Sequence, residues 1–128
     1  MNMHRLLMVA SAFSLAVLFM PLSAPAQAAV PTCFGKPATI VGTNGNDSIR
    51  GTSLPDVIAS LGGADLVHAL AGNDLVCGGD GSDIVFDGYG SDAIDGGNGV
   101  DTVYLCPDGA LDRLVNVERV INSSLGCT

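Results

Sequence analysis

Aspartate recurs at every ninth residue through the middle of the chain: Asp47, Asp56, Asp65, Asp74, Asp83, Asp92 and Asp101. A carboxylate can cap its own turn singly, by an Asx hydrogen bond. Capping does not explain acid placed over acid seven times. Neighbouring strands lie about 4.8 Å apart, and two carboxylates held at that spacing repel by roughly 3.5 kcal/mol at an effective dielectric of 20. Arg50 is the only basic residue within the stretch. A row of this kind calls for a cation between its members.

Each aspartate is the sixth residue of a nine-residue unit, and seven units run without insertion from Gly42 to Tyr104: GTNGNDSIR, GTSLPDVIA, SLGGADLVH, ALAGNDLVC, GGDGSDIVF, DGYGSDAID and GGNGVDTVY. The eighth place is always β-branched and apolar: Ile49, Ile58, Val67, Val76, Val85, Ile94 and Val103. The fourth is Gly except at Leu54. A fixed short period of this kind specifies a solenoid.

The unit divides into a Gly-rich hexad and an apolar triad. The hexads hold 14 of the 17 glycines, so they are the turns. The triads have strand composition but are too short to stand alone, so stacked neighbours must complete their ladders. The simplest closure is turn, strand, turn, strand, with 18 residues to a coil of two parallel sheets. Side chains alternate along a strand, so the eighth-place residues point inward and the seventh and ninth point out. Copies n and n+2 then stack. Asp47, Asp65, Asp83 and Asp101 line one edge, and Asp56, Asp74 and Asp92 line the other. Two stacked hexads offer six or more oxygen ligands from carboxylates and turn carbonyls. That set suits Ca²⁺ in a flexible cage better than Mg²⁺, which demands strict octahedra. Copper, zinc or iron would want imidazole or thiolate, which the hexads lack.

The flanks carry other signals. Met1 to Arg5 is weakly basic, Leu6 to Met20 is apolar and uncharged, and Ala26-Gln27-Ala28 ends the segment. This is the layout of a secretory signal cleaved after Ala28, and the apolar run is short for a membrane span. Residues 1–28 are therefore read as a signal peptide and the product as secreted, with no membrane insertion in the mature form. Beyond Ala28, Lys36, Arg50, Arg113 and Arg119 face all 13 acids, a balance that repels nucleic acid and anionic membranes. Cys33, Cys77, Cys106 and Cys127 all follow the cleavage point, and an even count in an exported chain favours two disulfides. Zinc is disfavoured, with no C-x-x-C pair and only His68 in the mature chain. Cys77 ends the fourth unit, on the sheet that the strand after Cys33 would join, while Cys106 and Cys127 lie beyond the repeats. Of three connectivities, Cys33–Cys77 with Cys106–Cys127 is the one expected.

Ile40 lies nine residues before Ile49, so Pro37 to Val41 reads as a strand already in register, and residues 29–41 as an N-terminal cap. Residues 42–104 are the repeats and 105–128 a C-terminal cap. Within the last, Leu111 to Ile121 alternates as a strand, although Leu111, Leu114 and Val115 fit a helix face too. The outward residues Leu66, His68, Ile84, Phe86 and Tyr104 form an apolar strip open to a partner or to cover by a terminal segment. No Ser-His-Asp arrangement or H-E-x-x-H helix is visible, and no loop has EF-hand ligand spacing. The chain reads as a non-enzyme.

These residues resemble the haemolysin-type, repeats-in-toxin calcium-binding proteins, whose consensus is G-G-x-G-x-D-x-U-x. GGDGSDIVF and GGNGVDTVY match at every specified place, and LVNVERVINSS is similar to a segment found beside such repeats. The resemblance spans residues 33 to 125. It implies an all-β, right-handed parallel β-roll with Ca²⁺ between coils, about three to five ions by the number of stacked hexads. It implies carboxylate ligands at Asp47, Asp65, Asp74, Asp83, Asp92 and Asp101, with hexad backbone from Gly45, Gly63, Gly72, Gly78, Gly79, Gly81, Gly90, Gly96, Gly97 and Gly99. Leu54-Pro55 interrupts the second copy and sets Asp56 apart. Toxins and proteases of this kind leave by a one-step channel and lack cysteine. This chain resembles instead small exported proteins made of little besides the repeats. Its expected role is calcium binding, with a calcium-dependent adhesin or matrix module as the alternative and a toxin or enzyme accessory fragment as the remote one. A core of Ile and Val this thin, in so Gly-rich a chain, implies a repeat region that orders only when Ca²⁺ binds.

Overall fold

The computed structural model describes residues 27–127. The expected signal segment lies outside them, apart from Gln27 and Ala28. Among the described residues every regular element is a strand, and no helix is long and apolar enough to cross a membrane.

The chain opens with an antiparallel hairpin, β1 (Thr32–Cys33) and β2 (Lys36–Pro37). Its two-residue turn, Phe34-Gly35, has positive φ at both positions, the geometry that matches strand twist. The expected strand from Pro37 to Val41 is therefore divided. Pro37 ends the hairpin, and only β3 (Ile40–Val41) joins the roll.

The remaining strands alternate between two parallel five-stranded sheets. One runs β3, β5 (Val57–Ala59), β7 (Leu75–Asp80), β9 (Ala93–Asn98) and β11 (Arg113–Val115). The other runs β4 (Ser48–Arg50), β6 (Leu66–His68), β8 (Ile84–Phe86), β10 (Thr102–Leu105) and β12 (Arg119–Asn122). Register advances by 18 residues per coil, pairing Ile40 with Ile58, Ile58 with Val76, and Val76 with Ile94. The expected two-sheet solenoid is what forms. Three strands outrun their triads: β10 reaches Leu105, and β7 and β9 continue into the following turn, where Gly79 pairs with Gly97.

All seven eighth-place residues are buried. Ile49, on the first full coil, is 8% exposed, and the other six are fully buried. Ile40, Leu105, Leu114 and Val117 pack against this single file. A core one residue wide follows from a strand of three residues, which has only one inward side chain to give.

The C-terminal cap corrects the sequence reading. Leu111 to Ile121 is neither one strand nor a helix. It is two strands, one on each sheet, with Leu114 paired to Ile94 and Val120 to Val103. Asn116, at φ 49, begins the turn between them, so the cap is one more coil written without the nonapeptide pattern. Both disulfides form as expected. Cys33–Cys77 ties the hairpin to β7, and Cys106–Cys127 closes the cap.

His68, Phe86 and Tyr104 stack on the outer face of the second sheet, with ring centroids 4.6 Å apart at each step. The tail crosses this stack, since a Cβ on Gly126 would overlap the Phe86 ring. The chain's own terminus thus covers the middle of the strip, while Ile84 remains 40% exposed.

Candidate metal centre

In an 18-residue coil, the turn between two short strands must stack on the turn a coil away, so each sixth-place aspartate meets its own counterpart. The aspartates join backbone to side chain in two relays. In the first, the Asp47 amide donates to Asp65 Oδ1 (2.7 Å), Asp65 to Asp83 (2.9 Å) and Asp83 to Asp101 (2.8 Å). In the second, Asp56 donates to Asp74 (2.8 Å) and Asp74 to Asp92 (2.7 Å). These are the two edges expected from the 18-residue coil. Each relay runs one step beyond the repeats: the Asp92 amide donates to Asp112 Oδ1 (3.0 Å) and the Asp101 amide to Glu118 Oε2 (2.8 Å). The sequence reading missed Asp112 and Glu118 because they fall off the nine-residue count.

The second carboxylate oxygen divides the seven copies. Asp47 Oδ2 accepts from the amide (2.6 Å) and hydroxyl (2.9 Å) of Thr43, and Asp56 Oδ2 accepts from the same groups of Thr52 at 2.6 and 3.0 Å. In Asp65, Asp74, Asp83, Asp92 and Asp101, Oδ2 is buried with no hydrogen-bond partner. An unpaired buried carboxylate oxygen costs several kcal/mol unless something positive meets it. Asp47, expected as a ligand, therefore stands with Asp56 as a closed turn. The other five expected carboxylates stand open.

Turn conformation divides the same way. In the five open hexads the second and fourth residues have positive φ. Gly79 and Gly81 lie at 96° and 131°, and Leu61 and Leu70 are forced to 78° and 79° where later copies carry Gly. Such a conformation costs a side-chain-bearing residue about 1–2 kcal/mol. Neither Thr43 nor Gly45 of the first copy is in that region. Close approach accounts for the glycine at place one of the fifth copy: Asp83 Oδ2 and the Gly96 carbonyl oxygen both converge on the space that a Cβ at Gly78 would fill. At Gly96 the converging atoms are Asp101 Oδ2 and the Asn116 carbonyl oxygen. Carboxylate and carbonyl oxygens gathered in a space kept clear of side chains are hard donors suited to Ca²⁺. The remaining expected backbone positions, Gly63, Gly72, Gly90, Gly97 and Gly99, all lie in the open hexads.

The electrostatics agree. Burial pushes Asp74 up to about 6 and Asp92 up to about 7, with neighbouring carboxylates adding to the rise. Burial also raises Asp83 and Asp101. Amides donating to these carboxylates oppose the shift but do not cancel it. As it stands, the site favours protons or cations over free charge.

Known proteins supply two matches. The chain is 30% identical to the AlgE6R3 subunit of the Azotobacter vinelandii mannuronan C5-epimerase, known from a solution structure. The match covers 67% of this chain and 46% of that one, with a TM-score of 0.27. This chain thus spans less than half of that subunit. A search of curated proteins gives no match. A model described as the RTX calcium-binding nonapeptide repeat (4 copies) matches residues 41–76, 50–85 and 78–105. That stretch is just over half of the chain and holds every stacked hexad, so the chain belongs to the family of RTX calcium-binding nonapeptide repeats, and calcium is what its repeats bind.

Proposed function

We propose that this is an exported, non-enzymatic calcium-binding module whose repeat region folds around Ca²⁺ held between stacked hexads. The observation that carries this reading is the set of five buried carboxylate oxygens without partners, on Asp65, Asp74, Asp83, Asp92 and Asp101. Copies 3 and 5, 4 and 6, and 5 and 7 stack as pairs of open hexads. They give three sites built from these carboxylates and the backbone around Gly63, Gly72, Gly78, Gly81, Gly90, Gly96 and Gly99. The Thr-closed turns of Asp47 and Asp56 lie outside this set. Sites toward the C-terminal cap would bring the total within about three to five ions.

Export rests on the sequence of residues 1–28 and on the two disulfides, which persist in oxidising compartments. The domain division follows from it: a leader over residues 1–28, an N-terminal cap to 41, repeats to 104 and a C-terminal cap to 128. Extracellular calcium is plentiful, so folding on binding would keep the chain loose until it is outside. The non-enzymatic reading draws on the repeats and their two caps, which account for every strand among the described residues. The adhesin reading draws on the exposed Ile84 and half-buried Leu66 and Tyr104, and the tail over Phe86 counts against it.

Far-UV circular dichroism, with EGTA and with millimolar Ca²⁺, tests the proposal. The expected result is a gain of β-structure on adding Ca²⁺, together with about three to five ions by native mass spectrometry. A full β-spectrum in EGTA, unchanged by Ca²⁺, would sink it.

A further inference from the structure

The sixth copy departs from the others at its first place. Where the rest carry Gly42, Gly51, Ser60, Ala69, Gly78 and Gly96, it carries Asp87. A carboxylate there faces inward and is 1% exposed. Its Oδ1 accepts from the amides of Gly88 (2.7 Å) and Cys106 (2.9 Å), the second of which belongs to the cap. The cap also brings Asp112 over the same turn, where it accepts from the Asp92 amide. One oxygen from each of Asp87, Asp92 and Asp112 lies within 4.8 Å of the other two. Among the described residues no other group of three such side chains converges in this way.

Convergence of acids alone would not make a site. Asp92 supplies the second observation. It is 3% exposed, its Oδ1 is taken by the Asp74 amide, and its Oδ2 is buried without a partner. The charged groups acting on Asp92 are Asp74, Asp87 and Asp112, all acidic. None of these is a cation, so the answering charge is a proton or a cation from outside.

We infer that Asp87, Asp92 and Asp112 form a calcium site of a second kind, made of three side-chain carboxylates, which fastens the C-terminal cap to the roll. It rests on the reading that Ca²⁺ fills the stacked hexads, because Asp92 also ends the open turns of its edge. It differs from them in ligand chemistry. A stacked pair of hexads gives two carboxylates and draws otherwise on backbone, whereas this site gathers three. Affinity for Ca²⁺ rises with the charge of the ligand set, so this site fills first. Because Cys106 is held by Asp87 and covalently by Cys127, the ion fixes the whole terminal coil.

The test uses the disulfide-intact chain and the variant D87N/D112N. Asparagine at Asp112 keeps an oxygen for the Asp92 amide while removing charge. Native mass spectrometry at saturating Ca²⁺ is expected to find one ion fewer in the variant. The gain of β-structure with Ca²⁺ should persist, because Asp65, Asp74, Asp83 and Asp101 are untouched. An unchanged ion count and unchanged tightest affinity would overturn the site while leaving calcium in the hexads standing. If the wild-type chain bound no Ca²⁺ at all, both readings would fall. Should the double variant fail to fold, D112N alone decides. A tightest dissociation constant weakened by about tenfold or more supports the site, and an unchanged one overturns it.

Discussion

At the scale of single residues, the question is what distinguishes seven aspartates that occupy the same place in the period. Each Oδ1 after the first two copies receives an amide from the coil before. The difference lies in Oδ2, which Thr43 and Thr52 satisfy and which the later turns leave bare. Replacing Asp83 by Asn keeps an oxygen for the Asp65 amide and removes the charge proposed to face the cation. Calorimetry should find the affected Ca²⁺ sites weakened by about tenfold, about 1.4 kcal/mol. Replacing Asp47 by Asn should change Ca²⁺ binding by less than about twofold. Equal losses in both would mean that the threonines do not close their turns. The periodic aspartates were legible because they are invariant in type. The closure by threonine was not, because a hydroxyl at the second place reads as ordinary turn composition until its partner is located.

At the scale of elements, the roll is legible wherever inward and outward residues alternate and obscure wherever the chain leaves the period. Ile40 announced β3 by falling on the count of nines. Asn116 to Glu118 turn the cap from one sheet to the other without a glycine, so nothing in composition marked the break. Asp112 and Glu118 end the two relays at positions that the period does not reach. The hairpin went unread because Phe34-Gly35 is a weak turn signal beside a proline. Both ends are held by disulfides whose residues are 44 and 21 apart in sequence. Chain entropy assigns them about 4 and about 3 kcal/mol. Changing Cys33 and Cys77 together to Ser should lower stability in Ca²⁺ by about 4 kcal/mol in urea denaturation. The midpoint of calcium-induced folding should move to higher concentration. A loss below about 1 kcal/mol would show that the hairpin adds nothing beyond its own contacts.

At the scale of the whole molecule, the buried carboxylates tie folding to protons and, on the reading proposed above, to calcium. Burial lifts Asp74 and Asp87 to about 6 and Asp92 to about 7, from an ordinary 3.8. The folded, calcium-free chain therefore holds these protons more tightly than the unfolded chain does. Its stability rises as pH falls through about 7 toward about 4, and the stabilisation is lost above about pH 7. Calcium needs the ionised form, so its affinity moves the opposite way and falls over the same window. Metal-stripped protein should show more β-structure at about pH 5 than at about pH 8, while calorimetric Ca²⁺ affinity is weaker at the lower pH. A metal-free spectrum indifferent to pH would contradict burial of ionisable oxygens. One feature of the architecture also limits how such a chain can change in length. Successive copies alternate between sheets, and Cys33 meets Cys77 because the hairpin lies against the sheet to which β5 and β7 belong. A gene that gained a single nonapeptide between them would carry the second cysteine to the opposite face, out of reach of the first. A gain of two copies would preserve its side but not its level. Growth by duplication is therefore open on the C-terminal side of Cys77, in steps of 18 residues, where each added coil leaves the hairpin, its staple and the landing place of the cap on the faces they already occupy.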